Sequence, residues 1–302
     1  MATTDSKLDH LERTAAEPRD KSLITVVLKQ VDKVNDTVRL FRLVVPQDSP
    51  RIRFLPGQWL DVFIPGVAVA GGFTITSTPE QAQASQQPGY LELAVQRAPD
   101  NPPAAWLWRD PASIIGAALH VRIGGSFVWP PPGVDIHALR RVVFVAGGVG
   151  VNPLVSMLSS IASGGAGVDY GGGHLFEVHF LYSVREVAHV PFLERLASIY
   201  ARGRTKGRLR LFITGGSRDL KEGEGEREER VISCQGDGGD VVCCRRRITI
   251  DDVATAILDT MSAIVYICGV PSMTDEFVQK LTDRQDGGLG MEPHRVLCEK
   301  WW

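Results

Sequence analysis

The run Val142-Val143-Phe144-Val145-Ala146-Gly147-Gly148-Val149-Gly150-Val151-Asn152-Pro153-Leu154 constrains the fold more than any other part of the chain. Its apolar start has no polar alternation, so both faces must be buried, as in a strand inside a parallel sheet. Three glycines break the run. A new spacing then begins at Leu154, Met157, Leu158 and Ile161, which is that of a helix with one buried stripe. The order is therefore strand, glycine turn, helix. Backbone N–H groups that no side chain shields, at such a turn and at the helix N-terminus, can approach a phosphate closely. Gly147, Gly148, Val149, Gly150, Val151 and Asn152 are accordingly the leading candidates for a nucleotide site. Taken alone, the turn is equally compatible with a helix that simply starts on glycine. Its spacing departs from G-x-G-x-x-G, and the next expected strand, 177–182, is followed by Ser183 and Arg185 rather than by an acid for a ribose hydroxyl.

A chain of 302 residues suits two domains, each with its own core. The net charge of −2 gives no electrostatic case for nucleic acid. No apolar run approaches the roughly 20 residues that cross a bilayer, so no transmembrane segment is expected. Residues 1–21 mix Asp5, Asp9, Glu12, Glu17 and Asp20 with a few bases. That resembles neither an Arg-rich transit peptide nor a secretory signal, and the segment is expected to be a mobile tail. With no targeting signal visible, a cytoplasmic or a mitochondrial location is expected. The cysteine count of five is odd and the spacing scattered, which argues for a reducing compartment and against a disulfide framework. The histidines form no H-E-x-x-H or similar set, so no metal is expected.

The two halves differ in pattern. Short segments at 23–31, 37–45, 58–64, 72–77, 91–95 and 119–123 read as strands divided by breaks such as Pro56-Gly57 and Pro65-Gly66, with one helix at 102–108. Six or more strands so spaced suggest a small closed antiparallel barrel. The run Trp129-Pro130-Pro131-Pro132-Gly133 continues neither strand nor helix, and the linker is expected there. From Arg140 onward strands alternate with helices, as in an open, mostly parallel α/β sheet. Stretches 163–173 and 217–246 interrupt that alternation and are expected to be surface insertions. The expected fold is thus an antiparallel β-barrel at 22–137 followed by an open α/β nucleotide-binding sheet at 138–302.

Several strings occur in an order that resembles the ferredoxin–NADP reductase superfamily, and within it most of all the oxidoreductase NAD-binding domain-containing proteins. They are Pro56-Gly57-Gln58-Trp59, Gly71-Gly72-Phe73-Thr74-Ile75-Thr76-Ser77, Gly124-Gly125-Ser126-Phe127, the turn from Ala146 to Pro153, Ile267-Cys268-Gly269-Val270-Pro271-Ser272-Met273-Thr274, and Cys298-Glu299-Lys300-Trp301-Trp302. The resemblance implies that the barrel is a flavin-binding domain of the ferredoxin-reductase type and that the α/β domain binds NAD or NADP. It implies hydride transfer between the two rings and, beyond that, a separate electron-acceptor protein.

The resemblance also implies site residues. The superfamily's flavin motif, Arg-x-Tyr-Ser, falls on Gly71, Gly72, Phe73 and Thr74. The aromatic and the hydroxyl survive, but the arginine that contacts the flavin pyrophosphate is missing, so FAD, FMN and no flavin are all open. Phe73, Thr74, Ile75 and Thr76 are the flavin candidates, with a tight core strand as the plain alternative. Gly124, Gly125 and Ser126 match the second phosphate-facing loop, or are an ordinary hairpin turn. Cys268 and Gly269 would lie beside the nicotinamide, although a cysteine at a strand end is most often a small buried apolar group. Trp302 or Trp301 would cover the flavin ring or anchor the last strand. Glu299 would deliver protons or sit solvated at the surface. Arg185, Ser217 and Arg218 would hold a 2′-phosphate if NADP is the coenzyme, and are otherwise solvated. A flavin-free nucleotide-binding redox sensor or scaffold is the alternative to a reductase.

Overall fold

The computed structural model describes residues 9–46, 52–83, 89–164, 175–186, 190–215, 229–234, 238–285 and 287–300. The chain divides into two compact units, Met1–Val128 and Trp129–Trp302. The division falls earlier than the break expected between residues 137 and 138. Trp129, read from sequence as linker, is 1% exposed and packs edge-on against Phe176 and tilted against Tyr266 of the second unit.

The first unit begins with a short helix, α1 (His10–Arg13). Six strands follow: β1 (Ile24–Lys33), β2 (Val38–Val44), β3 (Trp59–Phe63), β4 (Gly71–Thr74), β5 (Tyr90–Gln96) and β6 (Ala118–Gly124). They form one antiparallel sheet in the order β4-β3-β6-β1-β2-β5. A bridge between Ile75 and Leu93 joins the two edges, so the sheet closes on itself as expected. Leu28, Phe41, Leu43, Leu60, Val62, Ile75, Leu91 and Leu93 fill its interior with no exposed surface. Three short helices cap the connections: α2 (Pro79–Ala82), α3 (Pro102–Leu107) and α4 (Pro111–Ile114). Each starts on a proline, whose missing N–H costs nothing in the first turn. Asn101 caps α3 by accepting from Ala104 N at 3.1 Å.

Residues 9–21, expected to belong to a mobile tail, are instead folded onto the barrel. Asp9 and Glu12 form a reciprocal capping box that starts α1. His10 and Arg19 then reach Asp61, a carboxylate with no exposed surface on β3. The charges scattered through this segment suggested solvation; several of them are hydrogen-bonded partners of the barrel.

The second unit carries β7 (Arg141–Gly147), α5 (Val151–Ala162), β8 (Glu177–Val184), α6 (Leu193–Ala201), β9 (Lys206–Ile213), β10 (Glu229–Ser233), β11 (Asp240–Cys244), α7 (Ile250–Ile257), β12 (Ala263–Gly269), α8 (Pro271–Thr282) and β13 (Val296–Lys300). The strand order is β10-β11-β9-β8-β7-β12-β13, parallel throughout except for the antiparallel edge pair β10–β11. Central β7 is apolar because both faces are covered: Val142, Val143, Phe144, Val145 and Ala146 have no exposed surface. Strands β10 and β11 lie inside 217–246, where an insertion without regular structure was expected. An edge strand tolerates charge on its open side, so Arg230 and Asp240 mask the short apolar pattern around Val231 and Val241.

Candidate functional site

The chain runs from β7 outward through β8 and β9 on one side, then returns to place β12 and β13 on the other. The reversal falls between β7 and β12. In open parallel sheets ligands bind at the carboxyl ends of the strands at such a switch point, because the two connecting loops diverge there and leave a crevice. The glycine turn stands at that position. Strand β7 ends at Gly147, one 3₁₀ turn spans Gly148–Gly150, and α5 starts at Val151.

Close packing explains the glycines. A Cβ on Gly150 would lie 2.2 Å from the Cys268 carbonyl oxygen, so the turn and the end of β12 touch backbone to backbone. Gly148 has φ +55° and faces open space, a conformation that costs other residues about 1–2 kcal/mol. Gly147 and Gly269 lie together under the Met273 side chain: a Cβ on Gly269 would fall 2.5 Å from Met273 Cε. The Tyr182 hydroxyl, on β8, donates to the Gly148 carbonyl at 3.1 Å and so fixes the turn from below. Burial pushes the Tyr182 phenol well above its ordinary range, so it stays a donor at neutral pH. The first turn of α5 contains no acidic residue and its N-cap makes no side-chain hydrogen bond. No acid of the helix itself therefore offsets the positive end of its dipole.

Sheet register brings other expected residues to the same edge. Cys268 pairs with Ala146 on β7 and with Glu299 on β13, Gly269 pairs with Lys300, and Gly147 pairs with Ser183. Cys268 is fully buried, whereas Glu299 is half-buried. Lys300 binds Asp275 of α8 at 2.5 Å, which ties the last strand to that helix. Val149 is half-buried, and Val151 and Asn152 are buried. Arg185 is exposed one residue beyond β8, its carbonyl accepting from Gly215 N at 2.7 Å. Ser217, Arg218 and Trp302, like Trp301, lie outside the described residues. Tyr182 and Met273 were not singled out from sequence. The signal for Tyr182 was a hydroxyl-bearing aromatic that ends the apolar run Phe180-Leu181, one position before Ser183, which pairs with Gly147.

In the barrel, the flavin candidates separate. Thr74 Oγ1 is buried and has no hydrogen-bond partner among the described residues. The Phe73 ring folds back over Gly71, where a Cβ would fall 2.4 Å from Phe73 Cε2 and 2.7 Å from Pro103. Ile75 and Thr76 are turned to the barrel itself. Ile75 lies in the core, and its N–H goes to Gln58 O. The Thr76 hydroxyl donates to Glu92 Oε1 at 3.0 Å and its N–H to Glu92 O at 2.8 Å. The turn at Gly124, Gly125 and Ser126 is covered by the N-terminal segment. Gly125 N donates to Pro18 O at 3.0 Å, and Ser126 N and Oγ donate to Glu17 Oε2 at 3.1 and 2.6 Å.

A knot of charge anchors that segment. Asp61 accepts from His10 Nε2 at 2.8 Å, from Arg19 Nε at 3.1 Å, and from Arg122 Nε and Nη2 at 2.8 and 2.6 Å. Burial by itself raises the Asp61 carboxyl. The hydrogen bonds from His10 and Arg122 and the charge of Arg19 outweigh it and hold the group below the usual carboxylate range. Trp59 is pressed between this knot and the turn: Arg19 lies 4.9 Å over its ring, and a Cβ on Gly124 would fall 2.4 Å from it.

A closed six-stranded antiparallel barrel followed by a parallel sheet with its glycine turn at the switch point is the two-domain fold of ferredoxin–NADP reductase-like proteins. A cytochrome P450 reductase from Amycolatopsis shares it with a TM-score of 0.66 at 20% identity, over 94% of this chain and 70% of that one. A ferredoxin NADP+ reductase from Neisseria gonorrhoeae, with FAD and NADP bound, matches with a TM-score of 0.62 at 16% identity, over 93% of this chain and 99% of that one. Oxidoreductase NAD-binding domain-containing protein 1 of Danio rerio is 31% identical over 99% of this chain and 100% of its own length. The chain belongs to that family. No protein-family model matches it.

The described residues fit the two implied coenzymes unequally. The turn in the second unit suits a dinucleotide diphosphate: it is a backbone cradle with no Cβ at Gly147, Gly148 or Gly150 and a helix whose first turn has no acid. In the barrel, the buried Thr74 hydroxyl suits the polar edge of a flavin ring. The diphosphate end of a flavin dinucleotide does not fit, because Phe73 and Pro103 leave no room for a side chain at Gly71 and Glu17 and Pro18 take the donors of Gly125 and Ser126. Among the described residues, no group of three or more His, Cys, Asp or Glu side chains is placed to hold a metal ion. None of their helices is long and apolar enough to cross a membrane.

Proposed function

We propose that this chain is an NAD(P)H-dependent oxidoreductase whose second unit takes the coenzyme diphosphate on the turn formed by residues 147–152. The close approach of Gly150 to the Cys268 carbonyl carries this reading, since it leaves backbone without a side chain at that point of the switch. Backbone N–H groups bind the diphosphate there, Tyr182 holds the turn in place, and buried Cys268 with Gly269 supplies a small wall that excludes water. Glu299, in register with Cys268, is the proton-handling candidate. Arg185, with Ser217 and Arg218, is the candidate set for the 2′-phosphate of NADP.

Membership of the family and the fold shared with reductases support a flavoprotein in which Phe73 and Thr74 face the flavin ring. A nicotinamide and a flavin bound together exchange a hydride, and geometry rather than acid–base chemistry governs such a step. A separate acceptor protein would then take electrons, as the name of the cytochrome P450 reductase suggests for that neighbour in fold.

A second reading is a flavin-free nucleotide-binding redox sensor. The glycine at position 71 and the covered turn at residues 124–126 favour it. Absorbance of the purified full chain, with identification of any released cofactor and an assay of NADH oxidation by ferricyanide, separates the two. A yellow protein that oxidises NADH supports the reductase. A colourless protein that binds NADH without turnover supports the sensor, and one that binds neither NADH nor NADPH contradicts both.

A further inference from the structure

Strands β7, β8, β9, β12 and β13 run parallel, so their carboxyl ends share one edge of the sheet and their amino ends the other. The glycine turn stands at the first edge. The second edge carries a different chemistry, which the coenzyme reading does not use. From Arg202 to Arg210 every second residue is a cation, and none is an acid. On β9 that period places Lys206, Arg208 and Arg210 on one face. Arg210, farthest from the amino edge, is paired with Asp252 of α7 at 3.2 Å. Arg204, Lys206 and Arg208 are exposed, as is Arg140 just before β7, and no ion pair among the described residues engages these four. Of the acids nearby, Glu177 is held by Arg141 at 2.9 Å and His179 at 3.2 Å, and Asp240 accepts from Ser233 Oγ at 2.8 Å.

Two large apolar side chains stand at the same edge. Leu258 and Met261, in the loop between α7 and β12, are 76% and 69% exposed. The loop is firmly hydrogen-bonded. Leu258 has φ +63° and ψ −51°, and Asp259 N donates to Ile257 O at 2.7 Å, which makes a γ-turn of the strained kind. The Asp259 carboxylate then accepts from Met261 N at 3.0 Å and from Ser262 Oγ at 2.6 Å. Two apolar side chains are thus held in water by a turn whose strain a glycine would avoid. Backbone contacts connect this loop to the cations. Ser262 O accepts from Arg140 N at 2.8 Å, Arg140 O accepts from Glu177 N at 3.0 Å, and Glu177 pairs with Lys206. Three strand spacings, about 15 Å, span the edge from the loop to Lys206.

We propose that this edge of the second unit docks on an anionic phospholipid surface, with Leu258 and Met261 entering the acyl boundary and Arg140, Arg204, Lys206 and Arg208 meeting the headgroup phosphates. Surface cations and apolar side chains just below the headgroups contribute there without a shaped partner. A protein interface needs a continuous apolar centre, and two projecting side chains do not make one. Single-stranded nucleic acid needs aromatic platforms, whereas the exposed large apolar side chains among the described residues are aliphatic or methionine. Docking by the amino edge does not cover the glycine turn at the other.

The test is co-sedimentation of the full chain with phosphatidylcholine vesicles, with and without phosphatidylserine, at low and at high salt. Wild type should pellet only with the anionic vesicles, and less at high salt. Lys206→Gln combined with Arg208→Gln should weaken that binding about thirtyfold, the effect of two surface cations. Leu258→Gly should weaken it about fivefold while leaving the melting temperature unchanged or higher, because relief of the turn offsets the freer unfolded chain. A side chain that served only the fold would lower the melting temperature when removed and leave vesicle binding alone. Equal pelleting with neutral and anionic vesicles, or unchanged vesicle binding in either variant, overturns the proposal. So does binding of polyglutamate by a chain that ignores anionic vesicles, which would assign the edge to an acidic protein.

Discussion

The hydroxyl of Tyr182 donates to the carbonyl of Gly148 at 3.1 Å, which couples the end of β8 to the glycine turn that follows β7. The ring is fully buried, but Gly148 is exposed, so water can replace the phenol at the carbonyl while the anchor from below is lost. Tyr182→Phe should therefore fold normally, cost about 1 kcal/mol of stability, and weaken NADH binding by about fivefold through a looser turn. Chemical denaturation and calorimetric titration of the same variant measure the two effects separately.

Gly148 and Gly150 should respond differently to alanine. At Gly150 the new Cβ meets the Cys268 carbonyl at 2.2 Å, and backbone must move. Gly150→Ala should lose about 3 kcal/mol together with nucleotide binding. At Gly148 there is open space but φ is +55°, so Gly148→Ala should lose only about 1 kcal/mol. Equal melting temperatures for the two variants would contradict the backbone contact.

Asp61 gives the docking of the N-terminal segment a pH dependence. Its folded carboxyl is held below the usual range, so the stabilisation is fully present above the unfolded value of about 3.9. It is lost as pH falls through the lower folded value. Acidification below about pH 4 should release residues 9–20, measured as rising hydrogen exchange there ahead of the barrel strands. Asp61→Ala, which leaves His10, Arg19 and Arg122 without their common acceptor, should cost about 3 kcal/mol at neutral pH.

Asp252 plays the corresponding part in the second unit. Burial raises its carboxyl, but hydrogen bonds from Arg246 and Thr249 outweigh that and bring it to about 2. It also caps α7 through Thr249 and binds Arg210 at 3.2 Å. The contribution, about 2 kcal/mol, is present above the unfolded carboxylate range and disappears as pH falls toward 2. Asp252→Asn should flatten the acid limb of the stability curve, read from urea unfolding across pH.

What could be read from the chain alone followed from local rules. Continuous apolarity at residues 142–146 and the glycines after it sufficed for strand, turn and helix, because burial on both faces and backbone approach leave direct marks in sequence. Alternation at 91–95 did the same for the barrel. The docked N-terminal segment left no such mark. Its cohesion depends on Asp61, fifty-one residues beyond His10, and no periodicity links them; the only hint was a carboxylate inside the apolar strand of Trp59, Leu60, Val62 and Phe63. Gly124, Gly125 and Ser126 matched a ligand-facing loop in type, and Pro18 and Glu17 of the same chain take the donors of Gly125 and Ser126. Tyr182 and Met273 escaped notice for a similar reason, since each acts on a glycine that is adjacent only after the sheet has formed.

The most direct test of the account is an amide-resolved NMR titration of the full chain with NADH and with NADPH. The account predicts that the largest shifts fall on Gly147, Gly148, Val149, Gly150 and Asn152, with smaller ones at Gly269, and that Gly150→Ala abolishes them. Absence of any shift at these amides at millimolar coenzyme, in a protein whose spectrum is that of a folded chain, would contradict it.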